Sequence, residues 1–234
     1  MEFYYLENSG FILRRAGDLV LIDCMSAPSE KLLGSLGEPD HVTVLASHFH
    51  GDHFSPWIFE LRGRWPQTQY VLSSDIAVHR KRNIPPDAAA QFVEKGWRAP
   101  VQGMEIAAWG STDEGVSFHI SWDGVEIFHA GDLNCWHWRD QSSPEDARKA
   151  TEWFERELEE ISKGAPAPDA AFFPVDPRMG RDYYRGAVRF AEVMRPKKFI
   201  PMHFGVKLNP PDAFFDEMRP LTQVIRTESG WTAI

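Results

Sequence analysis

The segment His48-Phe49-His50-Gly51-Asp52-His53 places four side chains that can bind a metal within six residues. Three are imidazoles and one is a carboxylate, which are ligands that borderline divalent cations such as zinc accept. Ligands on one short loop cost little entropy to gather, and Gly51 predicts a sharp turn inside that loop. The chain has nine histidines, and this spacing would rarely arise among them by chance. The segment therefore predicts a metal site.

The segment follows directly on a predicted strand. His41 to Ala46 is a short apolar run rich in strand formers, and it stops at Ser47. The histidines therefore begin at a strand end, where scaffolds commonly hold catalytic groups on loops. A loop in this position can leave one side of a bound metal open to water, which a catalytic site requires.

Apolar patterning elsewhere predicts two groups of strands with helices among them. Three strand-like runs precede the histidines and predict an antiparallel beginning, and Asp123-Gly124 is a strong hairpin signal between two later runs. Residues 144–163 form an amphipathic helical pattern with Trp153 on its apolar side, and residues 81–100 read as a surface excursion. This order predicts an α/β fold of two packed sheets flanked by helices. The predicted strands are residues 3–6, 11–15, 19–23, 41–46, 70–72, 104–109, 116–122, 125–128, 170–173, 198–201 and 223–226, and the predicted helices are residues 57–64, 144–163, 183–194 and 212–218.

Three single residues complete a known pattern. Asp23 ends a predicted strand, Asp132 stands in His129-Ala130-Gly131-Asp132 after the predicted hairpin, and His203 stands in Pro201-Met202-His203-Phe204-Gly205. Together with the H-x-H-x-D-H loop, they make the sequence resemble the metallo-β-lactamase superfamily over nearly its whole length. The resemblance is to the compact branch that includes sugar-phosphate lactonase-like proteins, rather than to the secreted antibiotic-degrading enzymes. It implies a single domain, residues 1–234, with the four-layer αββα sandwich of that superfamily.

The resemblance also implies a pair of metal sites and a reaction. A hydroxide held between two metals would attack a carbonyl or phosphoryl centre, which implies hydrolysis of an ester, lactone or phosphoester. Asp52 and Asp132 would be the catalytic carboxylates, and Asp52 can orient the hydroxide or accept its proton. Zinc is the expected cofactor, with one or two ions per chain. The implied ligands are His48 and His50 on the first metal, Asp52, His53 and His203 on the second, and Asp132 as the bridge.

The sequence departs from the family at one ligand. Most members supply a further histidine to the first metal from the loop before the hairpin, whereas that loop here reads Trp109-Gly110-Ser111-Thr112-Asp113-Glu114-Gly115. Asp113 is the best substitute, because a carboxylate can replace an imidazole on a divalent metal. The exchange would shift the preference from zinc toward harder ions such as manganese or iron. A turn residue that caps its own backbone is an equally good interpretation of Asp113.

Several other polar residues have two interpretations each. His137 either lines the pocket and contacts substrate or packs within its loop, and Arg178 either binds an anionic substrate group or pairs with Asp176. His129 either holds a metal ligand by a hydrogen bond or is a satisfied buried histidine. His119 alternates with serines on the polar side of its strand, which predicts a surface position. Four tryptophans are weak candidates for pocket walls, namely Trp57, Trp109, Trp136 and Trp138.

Composition narrows the class of protein. The 234 residues are 43% hydrophobic, which fits a globular domain, and the formal net charge of −9 argues against binding to nucleic acid. Two cysteines, Cys24 and Cys135, are too few for a disulfide framework. The N-terminus lacks a signal-peptide pattern, and no apolar run reaches the length of a membrane span. We therefore expect a cytoplasmic protein with a small-molecule substrate and no membrane partner, and a homo-oligomer stays open.

Two further functions stay open at the level of sequence. Related diiron proteins use the same scaffold for redox chemistry, generally with extra carboxylates on the metals, and Asp113 is one candidate for such a carboxylate. A non-catalytic metal-binding protein with a degraded first site is the other alternative, because the usual histidine is missing there.

Overall fold

The computed structural model describes residues 1–205 and 209–234. Within these ranges the chain forms two sheets and six α-helices. The strands are β1 (Glu2–Glu7), β2 (Gly10–Arg15), β3 (Asp18–Ile22), β4 (His41–Ala46), β5 (Gln69–Ser73), β6 (Gln91–Val93), β7 (Arg98–Val101), β8 (Met104–Trp109), β9 (Ser117–Trp122), β10 (Val125–His129), β11 (Ala170–Pro174), β12 (Lys198–Met202), β13 (Gln223–Val224) and β14 (Trp231–Ala233). The helices are α1 (Glu30–Ser35), α2 (Leu61–Arg64), α3 (Ser74–His79), α4 (Pro144–Gly164), α5 (Arg185–Met194) and α6 (Asp212–Met218), and short 3-10 helices lie at Pro56–Glu60, Lys81–Asn83 and Pro177–Met179.

The first unit of the chain comprises residues 1–94 and 228–234 and is built on one mixed sheet. Its strand order, among the described residues, is β14-β1-β2-β3-β4-β5-β6. The strands β1 to β3 pair antiparallel, as the sequence predicts, whereas β3, β4, β5 and β6 pair parallel. Because parallel strands end at the same edge of a sheet, the residues that follow β3, β4 and β5 come together there. Asp23, the histidine loop and α3 occupy this edge.

Helices cover one face of the first sheet. Leu21, Val44 and Leu72 alternate inward on three neighbouring strands and pack in one core with Leu33 of α1 and Ile76 of α3. The inward residues of these strands are branched or bulky, which suits a pleated surface buried under helices. At the far side of the sheet, β14 closes the unit by pairing with β1.

The second unit, residues 95–227, has its own mixed sheet. The strand order is β13-β12-β11-β10-β9-β8-β7 within the described part of the chain. The strands β7 to β10 pair antiparallel and β10 to β13 pair parallel. The predicted hairpin is confirmed: Asp123 and Gly124 both have positive φ, of 48° and 75°, as a two-residue hairpin turn requires. The parallel ends of β10, β11 and β12 bring Asp132, Asp176 and His203 to one edge.

Aromatic side chains join this sheet to its helices. Phe173 of β11 packs against Phe154 of α4 and Phe190 of α5, with ring centroids 6.4 and 4.6 Å apart. Ser143 caps the N-terminus of α4, because its hydroxyl accepts a hydrogen bond from the backbone nitrogen of Asp146. Among the described helices, none is both long and apolar enough to cross a membrane.

The predicted α/β class is confirmed, while several local predictions need correction. The residues predicted as the helix 57–64 form a 3-10 helix followed by the short α2, and the predicted strand 223–226 pairs only as β13. The excursion at 81–100 contains β6 and the first three residues of β7. Trp153 is 40% exposed rather than buried, because the buried stripe of α4 is Phe154, Leu158 and Ile161 and Trp153 lies beside it.

His119 is the clearest correction. The sequence predicts a surface position, yet its side chain is 5% exposed and its Nε2 lies 3.1 Å from a carboxylate oxygen of Glu126. His119 is directly opposite Phe128 in the β9–β10 register, so the two side chains lie on the same face of the sheet. That face is covered by helices, since Phe128 packs on Phe190 of α5. A polar alternation therefore does not imply solvent when a second layer covers the strand.

Candidate metal centre

In the first unit, the loop after β4 gathers the histidines of the motif. His48 and His50 have ligand nitrogens within 4.8 Å of each other, and Nε2 of His53 lies 3.7 Å from a carboxylate oxygen of Asp52. The loop is closed by backbone hydrogen bonds from His53 and Phe54 to the carbonyl of His50. His48 and His53 are fully buried, whereas the side chain of Asp52 is 43% exposed.

The loop turns at residues 51–53, as Gly51 predicts, but the turn does not depend on glycine. The φ of Gly51 is not positive, and a methyl group added to it would meet no atom of the described residues within 4 Å. The hydrogen bonds to the carbonyl of His50 are ordinary tight-turn bonds that other residues can form.

A buried carboxylate orients the histidines from beneath. Asp23 is fully buried and accepts hydrogen bonds from the backbone nitrogen and the hydroxyl of Ser47, both at 2.7 Å. Nδ1 of His53 lies 2.8 Å from the second oxygen of Asp23, and Nδ1 of His48 lies 3.0 Å from the Ser47 hydroxyl. Since that hydroxyl donates to Asp23, it accepts from His48. Both imidazoles therefore carry their proton on Nδ1 and their lone pair on Nε2, which is the form that binds a metal.

The tip of the loop is held by α3. The backbone nitrogen of Phe49 donates to Asp75 at 3.1 Å, and its carbonyl accepts from Nε of Arg80 at 2.9 Å. The ring of Phe49 stacks on His79 at a centroid distance of 4.2 Å. On the other side, the amide of Asn8 donates to Asp52 at 3.1 Å. Asp75 and Asn8 are not predicted from the sequence, because their only signal is their position after or between strands of the same sheet.

In the second unit, His203 lies between two carboxylates. Its Nε2 is 3.4 Å from Oδ1 of Asp132, and its Nδ1 is 3.2 Å from Oδ2 of Asp176. All three residues are buried. His203 has a positive φ of 65°, so the chain turns sharply as β12 ends and directs the imidazole along the sheet edge. This is the same carboxylate–histidine arrangement that Asp23 and His53 form in the first unit.

Asp176 stays ionised in this setting. Burial by itself would raise the pKa of Asp176, but hydrogen bonds from His203 and Arg178 outweigh burial and lower the pKa to about 2. Arg178 contacts both oxygens of Asp176 through Nε and Nη2, at 2.6 to 2.9 Å. The ion pair between Arg178 and Asp176 is therefore present, and a substrate contact of Arg178 stays a prediction.

Asp113 lies beside Asp132. One carboxylate oxygen of each residue lies within 4.8 Å of the other, and the side chain of Asp113 is exposed. Thr112 connects the two loops, because its hydroxyl donates to the carbonyl of Asn134 at 2.6 Å and accepts from the nitrogen of Asn134 at 2.8 Å. The turn itself is capped by Ser111, whose hydroxyl accepts from the nitrogen of Asp113 at 3.5 Å.

Trp136 and His137 lie in the loop after Asp132, and His129 lies at the end of β10 before it. Trp136 donates from Nε1 to the carbonyl of Asp132 at 2.8 Å, and its ring lies 5.5 Å from that of His203. His137 is buried, and both of its ring nitrogens are engaged, with the carbonyl of Asp182 and the nitrogen of Arg139. His129 is buried and accepts from the nitrogen of Gly131. These bonds account for His137 through packing, and its contact with substrate stays a prediction.

Comparison with known proteins identifies relatives over most of the chain. No family model matches the sequence. A UPF0173 metal-dependent hydrolase of Thermus thermophilus is 22% identical over 215 residues, which cover 88% of this chain and 84% of the relative. A metal-dependent hydrolase of the same designation from Methanopyrus kandleri is 27% identical over 227 residues, with the same two coverages.

Solved structures identify the fold. The metallo hydrolase Igni18 of Ignicoccus hospitalis superposes with a TM-score of 0.69 at 20% identity, covering 100% of this chain and 98% of that one. The metallo-β-lactamase fold protein YhfI of Bacillus subtilis superposes with a TM-score of 0.63 at 13% identity, and the match covers 96% of this chain and 90% of that one. The sequence relatives are metal-dependent hydrolases, and the chain has the fold of these solved structures, which is the metallo-β-lactamase fold.

Proposed function

We propose that this protein is a metal-dependent hydrolase that acts on an ester, lactone or phosphoester group of a small molecule. One observation carries the proposal: each unit holds a buried histidine by a carboxylate on Nδ1, through His53 with Asp23 and His203 with Asp176. Metal-binding histidines are held in this way almost always, because the carboxylate fixes the ring and makes Nε2 a better ligand. The names of the sequence relatives favour hydrolysis over the redox and non-catalytic alternatives.

The residues present fit divalent metal ions. Imidazole nitrogens and carboxylate oxygens together suit zinc, manganese and iron, and the carboxylate of Asp113 beside Asp132 supplies the donor that the missing histidine would give. When bound, such ions lower the pKa of coordinated water toward neutrality and so make it a nucleophile. We assign His48, His50, Asp52 and His53 of the first unit as metal ligands, and likewise Asp113, Asp132 and His203 of the second unit.

The proposed ligand Asp52 and the residues around the metal ligands would prepare the substrate and move its protons. Asp52 is the one half-exposed carboxylate of the histidine loop, so it can accept a proton from the attacking water while Asn8 keeps it oriented. Trp136 offers a flat apolar wall beside His203 and would exclude bulk water from the reacting group. Asp23 and Asp176 are positioning residues, because they act through the histidines that they hold.

Metal content and turnover test the proposal together. Protein purified without added metal would be analysed for bound metal and assayed with an aryl ester, a γ-lactone and an aryl phosphodiester. We expect Asp132→Ala and His203→Ala to lose bound metal and at least 100-fold in turnover, since each removes a ligand. The matched controls are Asp216→Ala and His41→Ala, which alter exposed residues far along the chain from these ligands.

Two outcomes would contradict different parts of the proposal. Full metal content in both ligand variants would show that these residues do not bind metal. Loss of metal in the variants, with no turnover of any substrate class by the metal-loaded wild type, would retain the metal centre and reject hydrolysis of these groups.

A further inference from the structure

The second unit has a cavity that the proposed metal centre does not use. The cavity has a volume of about 530 Å³ and lies along the first two turns of α4, facing the start of α5 and the loop at residues 139–142. None of the residues that we assign to metal lines it. Its charged lining consists of Arg139, Arg148, Arg181, Arg185, Asp140 and Glu152.

The charge of this lining is opposite to that of the chain. Four arginines against two carboxylates leave an excess of two positive charges around the cavity, while the whole chain has a formal net charge of −9. A guanidinium group presents its donors in a planar fork that matches the oxygens of phosphate and carboxylate groups. Arginines concentrated around one concave surface of an otherwise acidic protein favour the binding of an anion at that surface.

Three of the arginines are held in place by acidic partners. Arg139 pairs with Asp182 at 2.7 Å, Arg148 pairs with Glu152 at 2.6 Å, and Arg181 pairs with Asp140 at 3.5 Å. These exposed pairs contribute little to stability, but they limit the positions of the guanidinium groups around the cavity. The ligand would then meet an array of donors that is already partly ordered.

Arg185 is the exception. It is the first residue of α5, its side chain is half-buried, and no ion pair or side-chain hydrogen bond joins it to another residue in the described ranges 1–205 and 209–234. Two hydroxyl-bearing residues, Ser142 and Thr151, also line the cavity. A half-buried guanidinium without an acidic partner in a cavity of this size has donors available for a small ligand rather than for a large surface.

We propose that this cavity is a binding site for a small anionic metabolite, with a phosphoryl group bound by Arg185 and Arg148 and the rest of the molecule lying along α4. The site goes beyond the proposed hydrolase activity and does not depend on it. A carboxylate could supply the same oxyanion chemistry as a phosphoryl group, so the experiment distinguishes the two sources.

Titration calorimetry with inorganic phosphate tests the site. The proteins compared would be the wild type, Arg185→Gln, Arg148→Gln and the control Arg156→Gln, which removes an exposed arginine of the same helix that does not line the cavity. We expect the control to bind phosphate as the wild type does, and each of the other two variants to bind about tenfold more weakly. Phosphate bound at a metal would be insensitive to all three substitutions.

A second titration with succinate, a dicarboxylate, separates the two ligand sources. Weaker binding of succinate than of phosphate, with the same sensitivity to Arg185→Gln, would support the phosphoryl assignment. Tighter binding of succinate would retain the oxyanion site and reject the phosphoryl group. Equal phosphate affinity in all four proteins would overturn the site, as would a wild-type signal no larger than that of sodium chloride at equal ionic strength. Arg148 is exposed, so its variant remains informative even if Arg185→Gln folds poorly.

Discussion

The buried carboxylate of Asp23 determines which ring nitrogen carries the proton in His48 and His53. It is fully buried at the end of β3, and it accepts hydrogen bonds from the backbone and side chain of Ser47 and from His53. Because Ser47 also accepts from His48, one carboxylate fixes the tautomers of two proposed ligands. Removing its charge should therefore affect metal binding more than it affects the fold.

The substitution Asp23→Asn tests this role. The amide of asparagine would donate to Nδ1 of His53 and move the imidazole proton to Nε2, where it blocks coordination. We expect metal affinity to fall 10- to 100-fold, measured by competition with a chromophoric chelator, while the far-UV circular dichroism spectrum is retained. Asp18→Asn is the control, since Asp18 pairs with His41 away from the histidine loop. Unchanged affinity in Asp23→Asn would show that the buried carboxylate does not determine the ligand form.

Two of the site residues have unfavourable backbone conformations. Asp23 and His203 have positive φ values of 47° and 65°, a region that costs side-chain-bearing residues on the order of 1–3 kcal/mol. Both stand directly after a parallel strand, where the chain must turn for the side chain to lie along the sheet edge. Their hydrogen bonds with His53 and Asp176 offset part of this cost.

At the scale of elements, helix α5 supports the loop that follows Asp132. Gly186 lies in the first turn of α5 against this loop, and a methyl group there would lie 2.8 Å from the backbone nitrogen of Cys135 and overlap the side chain of Asn134. Asn134 is in turn joined to Thr112 by two hydrogen bonds. A single close approach thus connects α5 with the two loops that carry Asp113 and Asp132.

The substitution Gly186→Ala should destabilise the protein although alanine favours helices. The overlap with backbone atoms is expected to cost about 1–3 kcal/mol, more than the gain of up to about 1 kcal/mol in helix propensity. The control is Gly63→Ala in α2, where a methyl group would meet no described atom within 4 Å. Urea unfolding would measure both free energies of unfolding, and a Gly186→Ala variant as stable as the wild type would contradict the close contact.

The strand β9 carries a histidine whose ionisation is linked to stability. Burial lowers the pKa of His119, Glu126 opposes this effect, and Arg98 adds to it. In the unfolded chain its pKa is about 6.5. Between the lower folded pKa and about 6.5 the unfolded state binds more protons, so stability falls as the pH decreases through this window.

The substitution His119→Gln should remove this part of the pH dependence. We expect the free energy of unfolding of the wild type to decrease more between pH 7 and pH 5.5 than that of the variant, because glutamine binds no proton in either state. Urea unfolding at several pH values would give both slopes. A variant with the same slope as the wild type would show that His119 is not responsible for it.

The elements also show what the sequence could predict and why. The strands β4 and β8 and the helix α6 have the predicted bounds, because their apolar patterns are contained in one short segment. The helix α3 was missed, since Ser74–His79 is too short to show a period, and with it Asp75, the partner of Phe49. Asp23 and Ser47 are 24 positions apart, and their bonds depend on the parallel pairing of β3 with β4.

At the scale of the whole molecule, the proposed metal ligands are distributed along the sequences of both units. The resemblance to a superfamily supplied Asp132 and His203, because no local pattern links them to the loop at residues 48–53. Asp113 was predicted to replace the missing histidine from ligand chemistry alone. Its carboxylate lies near that of Asp132. The contacts by which Asp23 and Asp176 hold the histidines could be found only in the structure, since the partners are distant in sequence.

A crystal structure of the metal-loaded protein, with anomalous diffraction measured at the absorption edge of the bound metal, tests the central proposal most directly. We predict anomalous peaks about 2.0–2.2 Å from ligand atoms of His48, His50, His53, Asp132 and His203. Peaks bonded to none of these side chains, or no peak at all, would contradict it.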